Sequence, residues 1–192
     1  NYGFGSVHSV GFSGRKSFNF ERASFSQGAN SVNKYIPVAR IADMLLNPGK
    51  IFDYDGRKLR YPDIKAIVWA GGNPFHHHQD LNKLIQAWAK PEVIIVNEIF
   101  WNSNARRADI VFPTTSMLER NDMSGGSNDH YITPNKKIIE PFSLAKNDYE
   151  IYSGIAEKLG IELLFTEGRT ADEWVRHLYN TTRANAQEKG ID

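Results

Sequence analysis

Cysteine is missing from this sequence of 192 residues. Disulfides, cysteine-ligated zinc and iron–sulfur clusters are therefore excluded within the chain. The same absence suits either an oxidising or a reducing compartment, so it does not place the protein. Charge of one sign is not in excess either: 23 basic residues face 22 acidic ones, for a net charge of +1, with no long single-sign block. A nucleic-acid or membrane-surface binder would carry a basic excess, so neither partner is expected. No apolar run approaches the length of a membrane span, and no signal peptide opens the chain. The first residue is Asn1 rather than methionine, which reads as an excised or processed piece. Internal repeats and low-complexity tracts are absent. So are nucleophile-elbow, HExxH and Walker signatures, and no spacing of Ser, His and Asp singles out a triad.

What remains is ordinary globular usage, with 41% hydrophobic and 23% charged residues, in a chain long enough for one domain with appendages. Residues 1–35 are rich in Gly, Ser, Asn and Phe and hold no periodicity; they read as a loop-rich segment packed on another surface. Gly3-Phe4-Gly5 invites a phosphate-cradle reading, but the P-loop lysine and the helix behind it are missing. Residues 36–192 read as an α/β domain with C-terminal helices.

One stretch organises that domain. The strand Ile64 to Trp69 runs into Gly71-Gly72, then Asn73-Pro74-Phe75-His76-His77-His78, then an amphipathic helix from Asp80 to Ala89. Ligands of open α/β sheets sit at the carboxyl ends of strands, and this is such an end. The glycines permit a sharp turn and a close approach of backbone to ligand. Leu81, Leu84, Ile85 and Trp88 form the predicted inward face of the helix. Glu92 to Val96 is nearly all apolar, as in a strand covered on both faces, so strand, helix and strand make a βαβ unit.

The flanking elements follow from local chemistry. Apolar spacing predicts a helix over Ile36 to Leu46, entered at Pro37 and stopped by Asn47-Pro48-Gly49. Asp55-Gly56 predicts a hairpin turn. A short helix is predicted over Asn102 to Ala108, a third strand over Asp109 to Pro113, and a long polar loop over Thr114 to Pro134. Asn147 with Glu150 predicts a capping box opening a helix with Ile151, Ile155 and Leu159 inward and Gly160 at its end. Thr170 with Glu173 predicts another, for a helix carrying Trp174, Val175 and Leu178. The polar tail from Arg183 is expected to fray.

The residues at the strand ends carry the candidate chemistry. Asn73 and His77 can hydrogen-bond a phosphate or a heterocycle; alternatively Asn73 caps the loop and the histidines are solvated. Three successive histidines point in different directions, whereas zinc ligands converge on one point, so a metal site is not expected. Asn97 and Glu98 end the second strand, where dinucleotide folds hold a carboxylate that accepts from ribose hydroxyls; a solvated strand end is the alternative. Arg120 can pair with a phosphate or stack on a base, or it forms an ion pair with Glu119 or Asp122. Asp148 is favoured at the start of a helix by the dipole alone. It can also act as a bidentate acceptor for the N–H groups of guanine.

At these same residues the chain resembles a known family. GGNPFHHHQDLNKLIQAW, ADIVFPTTSMLERND and IPVARIADMLLNPG are similar to segments of the molybdopterin oxidoreductases, in the dimethyl-sulfoxide, trimethylamine-N-oxide and biotin-sulfoxide reductase group. The likeness runs from Ile36 to about Gly168. It implies an open, mostly parallel sheet flanked by helices, dinucleotide-binding-like, forming the third domain of a larger enzyme. It implies a bis(molybdopterin guanine dinucleotide) molybdenum cofactor, contacted here by Gly72, Asn73, His77, Asn97, Glu98, Arg120 and Asp148. It further implies reduction of S-oxides or N-oxides by oxygen-atom transfer in the parent chain. The remaining domains, a small-molecule substrate and an electron-donor cytochrome are the implied partners, in anaerobic respiration. The implied location is the periplasm, with the cytoplasm as the alternative. The chain departs from the family over Met123 to Asn128, which is shorter than the usual segment. The family's serine ligand to molybdenum has no match here, so no catalytic residue is assigned and the piece alone is expected to be inactive.

Overall fold

A computed structural model describes residues 23–26, 29, 31–32, 34–124 and 132–190. The glycines at positions 3 and 5, most of the loop-rich segment 1–35 and the departure at 125–128 lie outside the described residues. The chain divides into two compact units: Gly28–Pro113, and Thr114–Asp192 together with Asn1–Gln27.

The unit Gly28–Pro113 is built on a three-stranded parallel sheet. A 3-10 turn, Val38–Arg40, follows Pro37 and leads into helix α1, Ile41–Leu46. Asn47 ends α1, with its side-chain amide donating to the Asp43 carbonyl at 3.0 Å. Strands β1, Ile51–Tyr54, and β2, Arg57–Arg60, pair as the expected hairpin. Its turn residues Asp55 and Gly56 have φ of 49° and 69°, as a two-residue turn with both centres left-handed requires. The sheet comprises β3, Ala66–Ala70, β4, Val93–Glu98, and β5, Ile110–Pro113, in the order β3-β4-β5. Between β3 and β4 lie α2, Pro74–His77, and α3, Leu81–Trp88, so the βαβ unit is present. The short helix expected over Asn102 to Ala108 is a single 3-10 turn, Ala105–Arg107.

One face of this sheet is packed. Ile94 and Val96 from β4 meet Leu84, Ala87 and Trp88 of α3, with Leu45 of α1, Phe75 of α2 and the partly buried Ile67 and Trp69 of β3. Full burial of a side chain such as Leu84 contributes roughly 1.5–3 kcal/mol. Lys83 on α3 and Asp43 on α1 form an ion pair across the two helices. The inward stripe of α3 is narrower than its spacing predicts: Leu81 and Ile85 remain 39% and 43% exposed. They lie on the flank of the stripe and are not part of the core cluster that Leu84, Ala87 and Trp88 join. Strand β4, expected to be covered on both faces, has Ile94, Val96 and Asn97 buried and Val93 and Ile95 half-buried, whereas its two neighbours are barer. Val68, Ile95 and Ile110 are cross-strand neighbours on the opposite face, and Val68 and Ile110 are 57% and 45% exposed.

The other unit has a helical core. The span expected as a polar loop contains two short antiparallel strands, β6, Asp122–Ser124, and β7, Thr133–Asn135. Helix α4, Asp148–Lys158, opens on the predicted capping box of Asn147 and Glu150. Helix α5, Glu162–Thr166, was not predicted. Helix α6, Ala171–Gln187, opens on the box of Thr170 and Glu173. Trp174 and Leu178 pack on Met123, with Ala23, Ile132, Tyr149 and Val175 around them. Two expectations are corrected here. Ile151 is buried as predicted, but Ile155 and Leu159 are 37% and 67% exposed, and Ala156 takes the buried place in the last turn of α4. The helix does not fray at Arg183: Thr182 and Ala186 are buried, and the Thr182 hydroxyl accepts from the Ala23 N–H at 3.0 Å. That tie gives the C-terminal turns of α6 a buried face.

Candidate functional site

The loop after β3 is shaped by two successive left-handed residues, Gly71 at φ 76° and Gly72 at φ 69°. Only glycine adopts such a pair without a steric cost. The Trp69 indole N–H donates to both the Gly71 and Gly72 carbonyls, at 2.9 and 3.0 Å, and so pins the turn. The chain then enters α2 with Asn73 as its N-cap and Pro74 at the first helical position. Asn73 Oδ1 accepts from the Phe75 N–H at 3.0 Å, and Asn73 Nδ2 donates to Ser103 Oγ at 3.0 Å. Ser103 belongs to the loop after β4. One buried side chain thus joins the two strand-end loops.

His76 and His77 are exposed, and His78 is half-buried. Burial, then the proximity of His77, holds the His78 imidazole below its ordinary pKa. Among the described residues no set of three or more His, Asp or Glu side chains could hold a metal ion.

The end of β4 stands beside this loop, with Asn97 directly across from Ala70. Asn97 is only 4% exposed. Glu98 organises the loop after β4: Oε1 accepts from the Ile99 N–H at 3.0 Å, and Oε2 from Asn102 Nδ2 at 2.7 Å. Asn102 Oδ1 in turn accepts from the N–H groups of Asn104 and Ala105, at the entry to the 3-10 turn. A carboxylate has lone pairs beyond these two bonds, so Glu98 can still accept from a ligand. Asn104 is fully buried, and neither atom of its amide has a hydrogen-bond partner among the described residues.

An open cavity of about 430 Å³ lies here, lined by His76, Trp101, Asn102, Ser103, Arg106 and Arg107. Arg106 Nε donates to the Trp101 carbonyl at 3.2 Å. Arg107 Nη1 donates to the Ser103 carbonyl at 2.8 Å, and its guanidinium carbon sits 4.6 Å from the centre of the Phe75 ring. Sequence reasoning passed over Trp101, Arg106 and Arg107. Their signal was an aromatic residue and an arginine pair just past a strand ending in Asn97-Glu98.

Five of the seven predicted residues, namely Gly72, Asn73, His77, Asn97 and Glu98, fall in the unit Gly28–Pro113. Asn73, Asn97 and Glu98 are brought together at adjacent strand ends, with Gly72 and His77 on the loop around them. Arg120 and Asp148 belong to the other unit. Arg120 Nε donates to Asp122 Oδ2 at 3.1 Å and Nη1 to the Thr115 carbonyl, the ion pair being largely buried. Burial pushes the Asp122 carboxyl up, against the bonds from the Met123 N–H and Arg120. Glu119 accepts from the Ser116 N–H at 2.7 Å and the Phe142 N–H at 2.8 Å. Asp148 is half-buried at the first position of α4, one turn before Tyr152, whose hydroxyl is pushed up by burial and then by the Asp148 charge.

Comparison with known proteins bears on the same residues. The family model for molybdopterin oxidoreductase matches residues 4–158. Biotin sulfoxide reductase of Cereibacter sphaeroides is 46% identical over 97% of this chain and 25% of its own length. Trimethylamine-N-oxide reductase of Haemophilus influenzae is 50% identical over 81% of this chain and 19% of its own. The dimethyl sulfoxide/trimethylamine N-oxide reductase of Rhodobacter capsulatus is 43% identical over 82% of this chain and 19% of its own. This chain therefore spans about a fifth to a quarter of the length of these relatives. Among solved structures, acetylene hydratase from Pelobacter acetylenicus superposes on 53% of this chain and 14% of its own at a TM-score of 0.48 and 20% identity, too slight a likeness to argue from. With the family model matched over most of its residues, the chain belongs to the molybdopterin oxidoreductase family.

Proposed function

We propose that this chain is a cofactor-binding part of a molybdenum-dependent enzyme that reduces S-oxides or N-oxides. In this reading residues 36–192 hold part of a bis(molybdopterin guanine dinucleotide) cofactor. The observation that carries it is the joining of the glycine-turned loop after β3 to the loop after β4 through Asn73 and Ser103. That bond places polar side chains around the carboxyl ends of adjacent parallel strands, where α/β sheets take nucleotides. The residues present fit such a group. Gly72 leaves room for a close backbone approach, and the crevice offers amide, imidazole and guanidinium donors suited to phosphate and heterocycle oxygens. The fully buried, unpartnered amide of Asn104 adds polar capacity at this end of the sheet that internal bonds do not exhaust.

Gly72, Asn73 and His77 would hold the diphosphate side, and Asn97 and Glu98 the ribose side; Arg120 and Asp148 are further proposed cofactor contacts. Asp148 would accept from the N–H groups of guanine. When bound, the molybdenum group supplies the two-electron chemistry that removes an oxygen atom from the substrate. This chain's own share is to bind and orient the cofactor; none of its residues is assigned to the chemical step. The names of the relatives support the substrate class. The parent chain's other domains, a cytochrome electron donor and a periplasmic location complete the proposal.

The test is molybdenum and acid-released GMP per chain in the full-length protein, made with molybdate and the cofactor-assembly machinery. One molybdenum and two GMP per chain are expected for the bis form. Asp148→Asn should lower the guanine content while the melting temperature holds. Unchanged molybdenum and GMP in that variant would remove Asp148 from the site. Neither component in the wild type would overturn the reading and leave a nucleotide- or partner-binding module.

A further inference from the structure

We infer that the cavity beside β4 is an anion subsite with an aromatic wall, in which Arg106 and Arg107 take a phosphate or diphosphate and Trp101 takes the flat face of an attached heterocycle. The inference deepens the nucleotide-cofactor reading and rests on it.

Charge points to an anion. Arg106 and Arg107 are adjacent, both line the cavity, and among the described residues no Asp or Glu lines it with them. Neither guanidinium forms an ion pair among the described residues, although nine ion pairs occur elsewhere in them. Two like charges on one cavity repel, and an anion bound there relieves the repulsion as no neutral ligand can. A metal cation is disfavoured for the same reason.

Geometry agrees with charge. Arg107 is held by the Ser103 carbonyl and by the Phe75 ring. Among the described residues Arg106 is tethered only through Nε, to the Trp101 carbonyl, so both of its terminal nitrogens are available to a ligand. A planar guanidinium presents paired N–H groups that match two phosphate oxygens. Holding the fork in place beforehand reduces the entropy lost on binding.

Trp101 supplies the wall. It is 64% exposed, an unusual setting for so large an apolar ring. Indole stacks on heterocycles and on cations alike, and here it stands on the same cavity as the two arginines. The cavity volume falls within the range of small-molecule sites. Its position also fits. Ser103, one of its lining residues, is the hydrogen-bond partner of Asn73, so an anion held here lies at the same strand ends as the proposed cofactor contacts.

The experiment uses the full-length chain, purified from cells unable to make the molybdenum cofactor. Inorganic diphosphate, GDP and guanosine are titrated into it by calorimetry. Diphosphate and GDP are expected to bind, and guanosine to bind at least about tenfold more weakly than GDP. Arg106→Gln should weaken diphosphate and GDP by about tenfold without a change in melting temperature, since that side chain is exposed and its hydrogen bond goes to an exposed carbonyl. The double variant with Arg107→Gln should weaken both further. Trp101→Ala should weaken GDP and leave diphosphate alone. Absence of diphosphate binding to the wild type, or equal affinity in the wild type and Arg106→Gln, overturns the subsite; equal GDP affinity in Trp101→Ala overturns the aromatic wall. These outcomes are separable from the molybdenum and GMP content of the loaded wild type. The content can be correct while the arginine variants bind diphosphate normally, which would sink the subsite and spare the cofactor reading.

Discussion

Asn73 and Glu119 each tie two stretches of the chain together with a single side chain, and they differ in charge. Asn73 is neutral, so the tie between the two strand-end loops does not depend on pH. Glu119 is a carboxylate, held below its ordinary pKa chiefly by the Ser116 N–H, with help from the Ser116 side chain and the Phe142 N–H. A carboxylate with a depressed folded-state pKa stabilises the fold fully above its unfolded pKa of about 4.3. That contribution is lost as pH falls through the lower folded value. Glu119→Gln is therefore expected to be less stable than the wild type near neutral pH and to lose less stability on acidification. Melting temperatures of both proteins at pH 6 and at about pH 3.5 test this; an equal drop in the two would exclude Glu119 as an acid-sensitive support. Sequence reading reached these residues unevenly. The ion-pair alternative for Arg120 is realised with Asp122, two residues away, because near neighbours leave few choices. The role of Glu119 could not be read, because its second partner, Phe142, is 23 positions away.

Elements whose chemistry closes within a few residues were legible. Both capping boxes formed where Asn147 with Glu150 and Thr170 with Glu173 stand three apart, since each satisfies its own helix start. Asp55-Gly56 formed its hairpin for the same local reason. Legibility failed where a second element decides. The pattern of α3 proposes four inward residues, but only a stripe centred on Leu84, Ala87 and Trp88 reaches the core, and which flank stays bare depends on where the other elements lie. The difference is measurable. Leu84→Ala should cost about 2–5 kcal/mol through lost burial and a cavity. Leu81→Ala should stay within about 0.5 kcal/mol, as for surface positions. Denaturant titrations of the transition reported by tryptophan emission distinguish the two; comparable losses would mean that the exposed flank is covered in solution. The cavity residues were missed on similar grounds. Trp101, Arg106 and Arg107 acquire a common direction only after Glu98 and Asn102 have folded the loop.

At the scale of the whole molecule, apolar surface is left uncovered in each unit. The sheet exposes Val68 and Ile110 on the face away from α3, and the second unit exposes Leu163 and Leu164 of α5 at 74% and 81%. Parallel sheets are usually covered on both faces, and contiguous apolar patches mark contacts or aggregation sites. No helix among the described residues is long and apolar enough to cross a membrane. The polypeptide of these 192 residues, made alone, is therefore expected to self-associate and to bind hydrophobic dyes. Val68→Lys should reduce both. Sedimentation velocity on the two preparations gives the answer, and a monomeric, dye-silent wild type would show the bare faces to be tolerated.

The turn at Gly71 and Gly72 has a consequence for handedness. At φ of 76° and 69°, an L-alanine would sit in a region that costs it about 1–2 kcal/mol per residue. For the mirror-image amino acid the same angles are the preferred ones. A semisynthetic chain carrying D-alanine at either position should keep the turn and the indole bonds of Trp69, while adding the methyl group that glycine lacks. Stereochemistry alone would then separate what the turn needs, a left-handed backbone, from what a ligand needs, the absence of a side chain.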